Sequence, residues 1–260
     1  MTPEQKEFEE LLKNEKRIKQ MISFISELNN VTKSFLTRLD GNDTTRENNF
    51  LYKIIERIHY NIVNCIPLLN NLLHSHHVVM PLGHIYRAMI HEVVIGYWLL
   101  GGNIADKISI LNGDYITKNT KLMSLPPHSL DDNEKQRIFR NWETIAPENF
   151  NKIQSKGGSD LFEINKLTRF NFTEVSNGLK DTNSEIQFLS EAYSLLSQQA
   201  HLSEFSREII YNRHAHMTKL LNVASGKILK ALICFISEID TESTTSKELE
   251  AIKELYYSKL

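Results

Sequence analysis

The stretch HVVMPLGHIYRAMIHEVVIGYWLL, residues 77–100, decides the fold class of this chain. It is longer than a strand and apolar on several faces, and Gly101–Gly102 follow it as glycine follows many helices. We therefore predict a central helix that is buried on more than one side. Its longest apolar run, VVIGYWLL at 93–100, is far shorter than the roughly 20 residues that span a membrane.

Amphipathic helices are predicted on both sides of this segment. Pro3 and the carboxylates that follow it mark a helix start, because proline suits the first turn and acids favour the positive end of the helix dipole. Apolar residues recur at steps of three and four after this start, and the same pattern returns further along the chain. The first predicted helix begins at Pro3 and is followed by a break at DGNDTT, residues 40–45, and the next carries the apolar residues of 50–69. Two more predicted helices cover about 184–201 and 206–239.

The segment from Asn103 to about Lys180 lacks this periodicity. Its short apolar groups are separated by NGD, PPHSLDD, APEN and SKGGSD, which are turn-forming compositions. We predict short helices and loops there and assign no strand. The predicted fold is an all-α multi-helix bundle, a single domain over 1–240 with an irregular insertion at about 103–180 between two long-helix halves. Residues 241–260 are predicted to form a linker and a short terminal helix.

Composition places the chain among ordinary globular proteins. Of its 260 residues, 41% are hydrophobic and 24% charged, which excludes a disordered chain. Thirty basic residues against 32 acidic ones give a net charge of −2, so the total charge favours neither nucleic acid nor a membrane surface. The charged N-terminus lacks the apolar core of a secretory signal, and Cys65 and Cys234 lie in apolar helical runs. We expect a cytoplasmic protein with two reduced core thiols and no membrane contact.

The central helix carries the first candidate site. Arg87 and His91 are four residues apart and share a face, with His84 one turn earlier and Glu92 about 100° round the helix from His91. Charged groups in so apolar a setting need partners, because an unpaired buried charge is costly. Two interpretations stay open, a functional pocket and an ion-pair network that ties helices together.

A second polar stripe lies in AYSLLSQQAHLSEFSR, residues 192–207, where Tyr193, Ser197 and His201 recur every four residues. A serine next to a histidine is typical of a nucleophile and its base, but the strained G-x-S-x-G turn is missing. We expect instead that this stripe faces Arg87 and His91, which would give one buried polar cluster between two helices.

These two segments together resemble a known family. YRAMIHEVVIGYWLL followed by YSLLSQQAHLS is similar to the DUF5677 family of bacterial helical proteins, over roughly 49–100 and 185–239. The resemblance implies an all-α fold and a shared polar cluster at Arg87, Tyr193, Ser197 and His201, and it implies no established reaction. Family members usually carry glutamate one turn after the arginine. Here that position is His91, and the carboxylate is displaced by one residue to Glu92.

The sequence REIIYNRH, from Arg207 to His214, is similar to the R-x4–6-H signature of HEPN ribonucleases, which are small all-α proteins. Seven residues are about two helical turns, so both side chains would share a face. The resemblance implies metal-independent RNA cleavage, in which histidine moves a proton at the attacking 2′-hydroxyl and arginine stabilises the charged phosphorus centre. It also implies a homodimer, because such sites form across two chains.

Other site motifs are missing from the sequence. It contains no HExxH, CxxC or Walker loop, so we expect no metal and no cofactor. KQRIFRNW at 135–142 interleaves arginines with Phe139 and Trp142, which would suit stacked bases, but we favour a solvated helix face with buried aromatics.

Two hypotheses of different classes follow from the sequence. In the first, the chain is an RNA-cleaving toxin or phage-defence effector that acts through Arg207 and His214 or through the cluster around Arg87. In the second, it is a non-catalytic protein-interaction or regulatory module in which the same polar groups only fix the packing of the helices. RNA, a protein partner and a second copy of the chain are the partners that these hypotheses imply.

Overall fold

The computed structural model describes residues 3–39, 45–72, 74–75, 78–126, 129–154, 160–165, 170–180, 184–199 and 214–239. Within these ranges it contains eight α-helices and one two-stranded sheet, so the predicted all-α fold is confirmed. The helices are α1 (Pro3–Leu39), α2 (Arg46–Leu72), α3 (Val79–Leu100), α4 (Ile104–Leu122), α5 (Asp132–Ile145), α6 (Phe172–Lys180), α7 (Ser184–Gln199) and α8 (His214–Ile239). The strands are β1 (Phe150–Gln154) and β2 (Asp160–Ile164), and a 3₁₀ turn at Pro147–Asn149 precedes β1.

The chain divides into two compact units. The first, the core bundle, comprises Met1–Trp98 and Thr173–Leu260, and the second, the inserted unit, comprises Leu99–Phe172. The single domain over 1–240, with its insertion at about 103–180, stays a prediction. The linker and terminal helix predicted at 241–260 lie outside the described residues.

A buried seam with alternating steps of three and four residues runs along each of the first two helices. Such a 3.5-residue spacing keeps one stripe of a helix against its neighbours. Burying one aliphatic side chain of this kind contributes about 1.5–3 kcal/mol. The seam residues are Ile18, Met21, Ile25, Leu28, Thr32 and Phe35 in α1, and Leu51, Ile55, Ile58, Ile62, Cys65, Leu69 and Leu72 in α2.

Thr32 is the polar member of the α1 seam, and its hydroxyl is satisfied in two ways. Its Oγ donates to the carbonyl oxygen of Leu28 at 2.8 Å and lies 2.8 Å from Nδ1 of His59 on α2. The tautomer of the His59 ring decides which of the two atoms donates in the second contact. The pair therefore joins α1 to α2 without leaving a buried polar atom unpaired.

The central helix α3 is buried on more than one side, as predicted, and contacts both α2 and α8. Tyr97 donates from its hydroxyl to the carbonyl oxygen of Ala231 on α8 at 3.0 Å. Gly96 lies where a Cβ atom would be 2.8 Å from the ring of Phe235. The glycine near the end of this helix is thus explained by the close approach of α8.

A buried chain of hydrogen bonds crosses the core bundle at Tyr86. The Tyr86 hydroxyl is 2.5 Å from Oγ of Ser225, and Ser225 donates to the carbonyl oxygen of Leu221 at 2.8 Å. Burial raises the pKa of the neighbouring Cys65 to about 12, so this cysteine stays a thiol. Both cysteines are free; Cys65 is buried, whereas Cys234, also expected in the core, is only half-buried.

The inserted unit corrects one expectation from the sequence. Where we assigned only short helices and loops, α4 is a 19-residue helix, and β1 pairs antiparallel with β2 from Phe150↔Ile164 to Gln154↔Asp160. The unit has its own small core of Ile116, Phe139, Ala146, Phe150 and Phe162.

The hairpin depends on tertiary contacts rather than on a local alternating pattern. The side chain of Gln136 on α5 accepts from the backbone N–H of Phe162 at 2.8 Å and donates to its carbonyl oxygen at 3.1 Å. Phe139 is buried and Trp142 packs beside it, while Arg137 and Arg140 are exposed. The solvated face that we favoured for KQRIFRNW is therefore confirmed for the two arginines, and the burial of its aromatics is confirmed for Phe139 and only in part for Trp142.

Among the described residues, one helix is long and apolar enough to cross a membrane. It covers His216–Ile239 of α8, and 61% of its most apolar window is buried inside the structure. The core helix of a soluble protein passes the same test, so this single helix is weak evidence for a membrane span.

Candidate functional site

An open groove of about 380 Å³ runs along the polar face of α3 in the core bundle. Residues at positions i, i+3 and i+7 of a helix lie on one face, which brings His84, Arg87 and His91 to the same side. The lining residues are His84, Arg87, Ala88, His91 and Glu92 from α3 and Tyr193 from α7. The shared face that the sequence predicted for the arginine and the two histidines is confirmed.

Tyr193 connects the two polar stripes that the sequence singled out. The Arg87 guanidinium carbon lies 5.2 Å from the centroid of the Tyr193 ring, within the range of a cation–π contact. The His91 ring lies 6.1 Å from the Tyr193 ring, with 33° between their planes. The structure therefore brings Arg87, His91 and Tyr193 together, as we expected from the spacing of the polar residues along each helix.

The cluster is half-buried, and the expectation of a buried cluster was wrong. Arg87, His91, Tyr193 and Ser197 are each partly accessible, with 34% of the His91 side chain exposed. The physical reason is that the Arg87 guanidinium lies over the Tyr193 ring at the open groove. Its charge stays in the groove, where water solvates it and the cost of desolvation is avoided.

Glu92 is the acidic member of the groove and is paired with a residue of α2. Its Oε2 accepts a hydrogen bond from Nη2 of Arg57 at 2.8 Å, and its Oε1 lies 4.0 Å from Nδ1 of His91. Burial alone would raise the pKa of this carboxyl, but the neighbouring His91 and Arg57 outweigh it and hold the pKa below the ordinary value of 4.5. Glu92 is therefore a carboxylate at neutral pH.

We expect Glu92 to contribute to the pH dependence of stability. Because its pKa is lower in the folded state, its stabilisation is complete above about pH 4.5 and is lost as the pH falls through the folded value. The free energy of urea unfolding should thus fall less steeply from about pH 7 to about pH 3 in Glu92→Gln than in the wild type. The control is Glu191→Gln on α7, an exposed carboxylate that should leave the slope unchanged. Equal slopes in Glu92→Gln and the wild type would show that the ion pair does not stabilise the fold.

Sequence reasoning missed Arg57. Its partner Glu92 is 35 positions away, and Arg57 itself lies on an exposed face of α2 among other charged residues. No local spacing signals such a pair, because it depends on how α2 packs against α3. The only available signal was the unassigned carboxylate next to His91.

The remaining predicted residues are placed differently. Ser197 donates from its hydroxyl to the carbonyl oxygen of Tyr193 at 2.7 Å, one turn earlier on α7, which does not suit a nucleophile. His201 and Arg207 lie outside the described residues. His214 is the first residue of α8, and its side chain also lies outside them. The pairing of Arg207 with His214 therefore stays a prediction.

Two other kinds of site can be compared with this groove. Among the described residues, no group of three or more His, Cys, Asp or Glu side chains could hold a metal ion. A smaller groove of about 200 Å³ in the inserted unit is bordered by six residues, none of them charged at neutral pH. Those residues are Asn112, Tyr115, Ile116, Trp142, Ile145 and Ala146. The α3 groove is thus the better candidate for acid–base chemistry.

Comparisons with protein-family models, curated proteins and solved structures find no match for this chain. The resemblances to DUF5677 and to HEPN ribonucleases stay predictions, so the function is argued from the groove itself.

Proposed function

We propose that this chain is a metal-independent RNA-cleaving protein and that the α3 groove is its active site. The observation that carries the proposal is the placement of an imidazole and a guanidinium, those of His91 and Arg87, on one open groove. An imidazole is the side chain best suited to proton transfer near neutral pH. A guanidinium matches the charge and shape of a phosphate group.

The proposed reaction is an internal transesterification. His91 takes the proton of a ribose 2′-hydroxyl, the 2′ oxygen attacks the adjacent phosphorus, and the bond from phosphorus to the 5′ oxygen breaks. Water in the open groove protonates the leaving oxygen, and the resulting hydroxide takes the proton back from His91. The products are a 2′,3′-cyclic phosphate and a 5′-hydroxyl end. Arg87 stabilises the negative charge that develops on the phosphoryl oxygens.

The proposed cellular role is that of a cytoplasmic toxin or phage-defence effector. Cleavage of cellular RNA stops growth, so an RNA-cleaving protein of this kind suits either role. The proposal needs neither a metal nor a cofactor, because imidazole and guanidinium supply the proton transfer and the charge.

Purified protein with single-stranded RNA and excess EDTA tests this function. We expect fragments that end in 2′,3′-cyclic phosphates, identified by mass spectrometry, and no cleavage of DNA of the same sequence because it lacks the 2′-hydroxyl. RNA that stays intact would contradict a constitutive nuclease. Cleavage that stops in EDTA would contradict the metal-independent mechanism.

A second function has one observation in its favour. The contacts of Glu92 with Arg57 and of Arg87 with Tyr193 both bridge helices, as expected of groups that only fix packing. The chain would then be a non-catalytic module that binds a protein partner or a second copy of itself. In that case the wild-type protein leaves RNA intact.

A further inference from the structure

We propose that Glu92 is a positioning residue that keeps the neutral His91 ring protonated on Nδ1, so that Nε2 is its basic nitrogen. The consequence for cleavage rests on the proposed function. The tautomer itself is a property of the folded protein and is measured without any substrate.

The first argument is the fixed position of the carboxylate. Only 15% of the Glu92 side chain is exposed, compared with 47% for Arg57 and 34% for His91. Arg57 holds Oε2 at 2.8 Å across the contact between α2 and α3. The other oxygen, Oε1, is therefore the one nearest to Nδ1 of His91, at 4.0 Å.

The second argument is the chemistry of the groups around this nitrogen. An ionised carboxylate only accepts, and a guanidinium only donates. A separation of 4.0 Å is too long for a hydrogen bond, so Oε1 acts on the ring through its charge and favours the N–H dipole on the near nitrogen. Contacts of this kind in substrate-free sites often shorten when the substrate binds.

The third argument is the restraint on the imidazole ring. Tyr193 lies against His91 at 6.1 Å between centroids, and the Arg87 guanidinium covers the same tyrosine ring at 5.2 Å. Tyr193 thus borders the imidazole on one side of the groove. In this orientation of the ring, Nδ1 is the nitrogen that lies 4.0 Å from the carboxylate of Glu92.

Nitrogen-15 NMR at about pH 9, where imidazoles are neutral, reads the tautomer directly. In the wild type we expect the His91 proton on Nδ1. Glu92→Gln should move it to Nε2, because Arg57 takes the amide oxygen and leaves the amide N–H₂ to donate to Nδ1.

Two controls separate this effect from a general change in structure. His84 borders the same groove on the same helix, and its tautomer should be the same in the wild type and in Glu92→Gln. Glu185→Gln removes a similarly buried carboxylate on α7, one that binds Lys230 at 2.6 Å, and should leave His91 unchanged. A wild-type His91 protonated on Nε2, or a tautomer unchanged by Glu92→Gln, would overturn the proposal.

Cleavage assays keep this inference distinct from the proposed function. If RNA is cleaved at the groove, Glu92→Gln should lower kcat by about 10²- to 10⁴-fold with little change in KM, since the wrong nitrogen then carries the proton. If the tautomer changes as expected but the wild type cleaves no RNA, the proposed function is wrong and the positioning role stands. If RNA is cleaved and the tautomer does not change, the positioning role is wrong.

Discussion

His91→Ala is expected to lower the rate of RNA cleavage by about 10²- to 10⁴-fold, the range that a general base contributes. The groove would keep its shape and its guanidinium but lose the group that takes the proton from the 2′-hydroxyl. The side chain is 34% exposed, so the free energy of unfolding should change by only about 0.5 kcal/mol. The measurement is the initial rate of cleavage of one RNA, with urea unfolding of the same preparation.

Arg87→Ala should lower the same rate by about 10²- to 10³-fold, as the loss of one charge-stabilising group does. It also removes the cation–π contact with Tyr193, worth about 0.5–1 kcal/mol at a partly exposed site. The matched controls are His74→Ala and Arg140→Ala, two exposed residues that do not border the groove. Both should keep the wild-type rate.

Expression of the wild type, His91→Ala and His214→Ala in bacteria decides between the α3 groove and the predicted Arg207–His214 pair. If the wild type stops growth and fragments total RNA, and His91→Ala does neither, the reaction takes place in the α3 groove. If His91→Ala stays toxic while His214→Ala is harmless, the reaction depends on the predicted Arg207–His214 pair, and the groove is not the site. Purification of each harmless variant in folded form excludes simple loss of the protein.

Periodicity in the sequence was sufficient for the long helices of the core bundle but not for the inserted unit, where it missed α4 and the hairpin. The seams of α1 and α2 repeat every three and four residues, so each helix shows its buried side locally. Each strand of the hairpin has five residues, and Phe150 and Phe162 are buried only because α5 covers them. Five residues are too few for an alternating pattern to indicate a strand. The turn-forming SKGGSD between the strands was interpreted as part of a longer loop and not as the turn of a hairpin.

The shared face on α3 and the approach of Tyr193 to it were predictable from the sequence, whereas the depth of burial and the pairing of Arg57 with Glu92 were not. The spacing of Arg87 and His91 predicted their common face, and the spacing of Tyr193 put it on a second polar stripe. Neither spacing indicated how deeply the side chains are buried, because that depends on the distance between α3 and α7. The pairing of Arg57 with Glu92 depends in the same way on the contact between α2 and α3.

Tyr86→Ala is expected to have the largest effect on stability, about 3–5 kcal/mol, the range for removing a large buried ring. Tyr86 is fully buried and is the largest such side chain in the described part of the chain. The cavity would open at the place where α2, α3 and α8 meet, and Ser225 would lose its hydrogen-bond partner. Tyr86→Phe keeps the ring and removes only the hydroxyl, so it should cost about 1 kcal/mol.

The two tryptophans allow this loss to be assigned to the core bundle. Trp98 belongs to the core bundle and Trp142 to the inserted unit, so a Trp142→Phe background leaves a fluorescence signal from the bundle alone. The control is Tyr60→Ala on α2, a tyrosine that is 69% exposed and should change the free energy of unfolding by about 0.5 kcal/mol or less. If Tyr86→Ala costs no more than Tyr60→Ala, then Tyr86 is not in the bundle core. If Tyr86→Phe costs as much as Tyr86→Ala, the hydrogen bond to Ser225, and not the packing of the ring, holds α3 against α8.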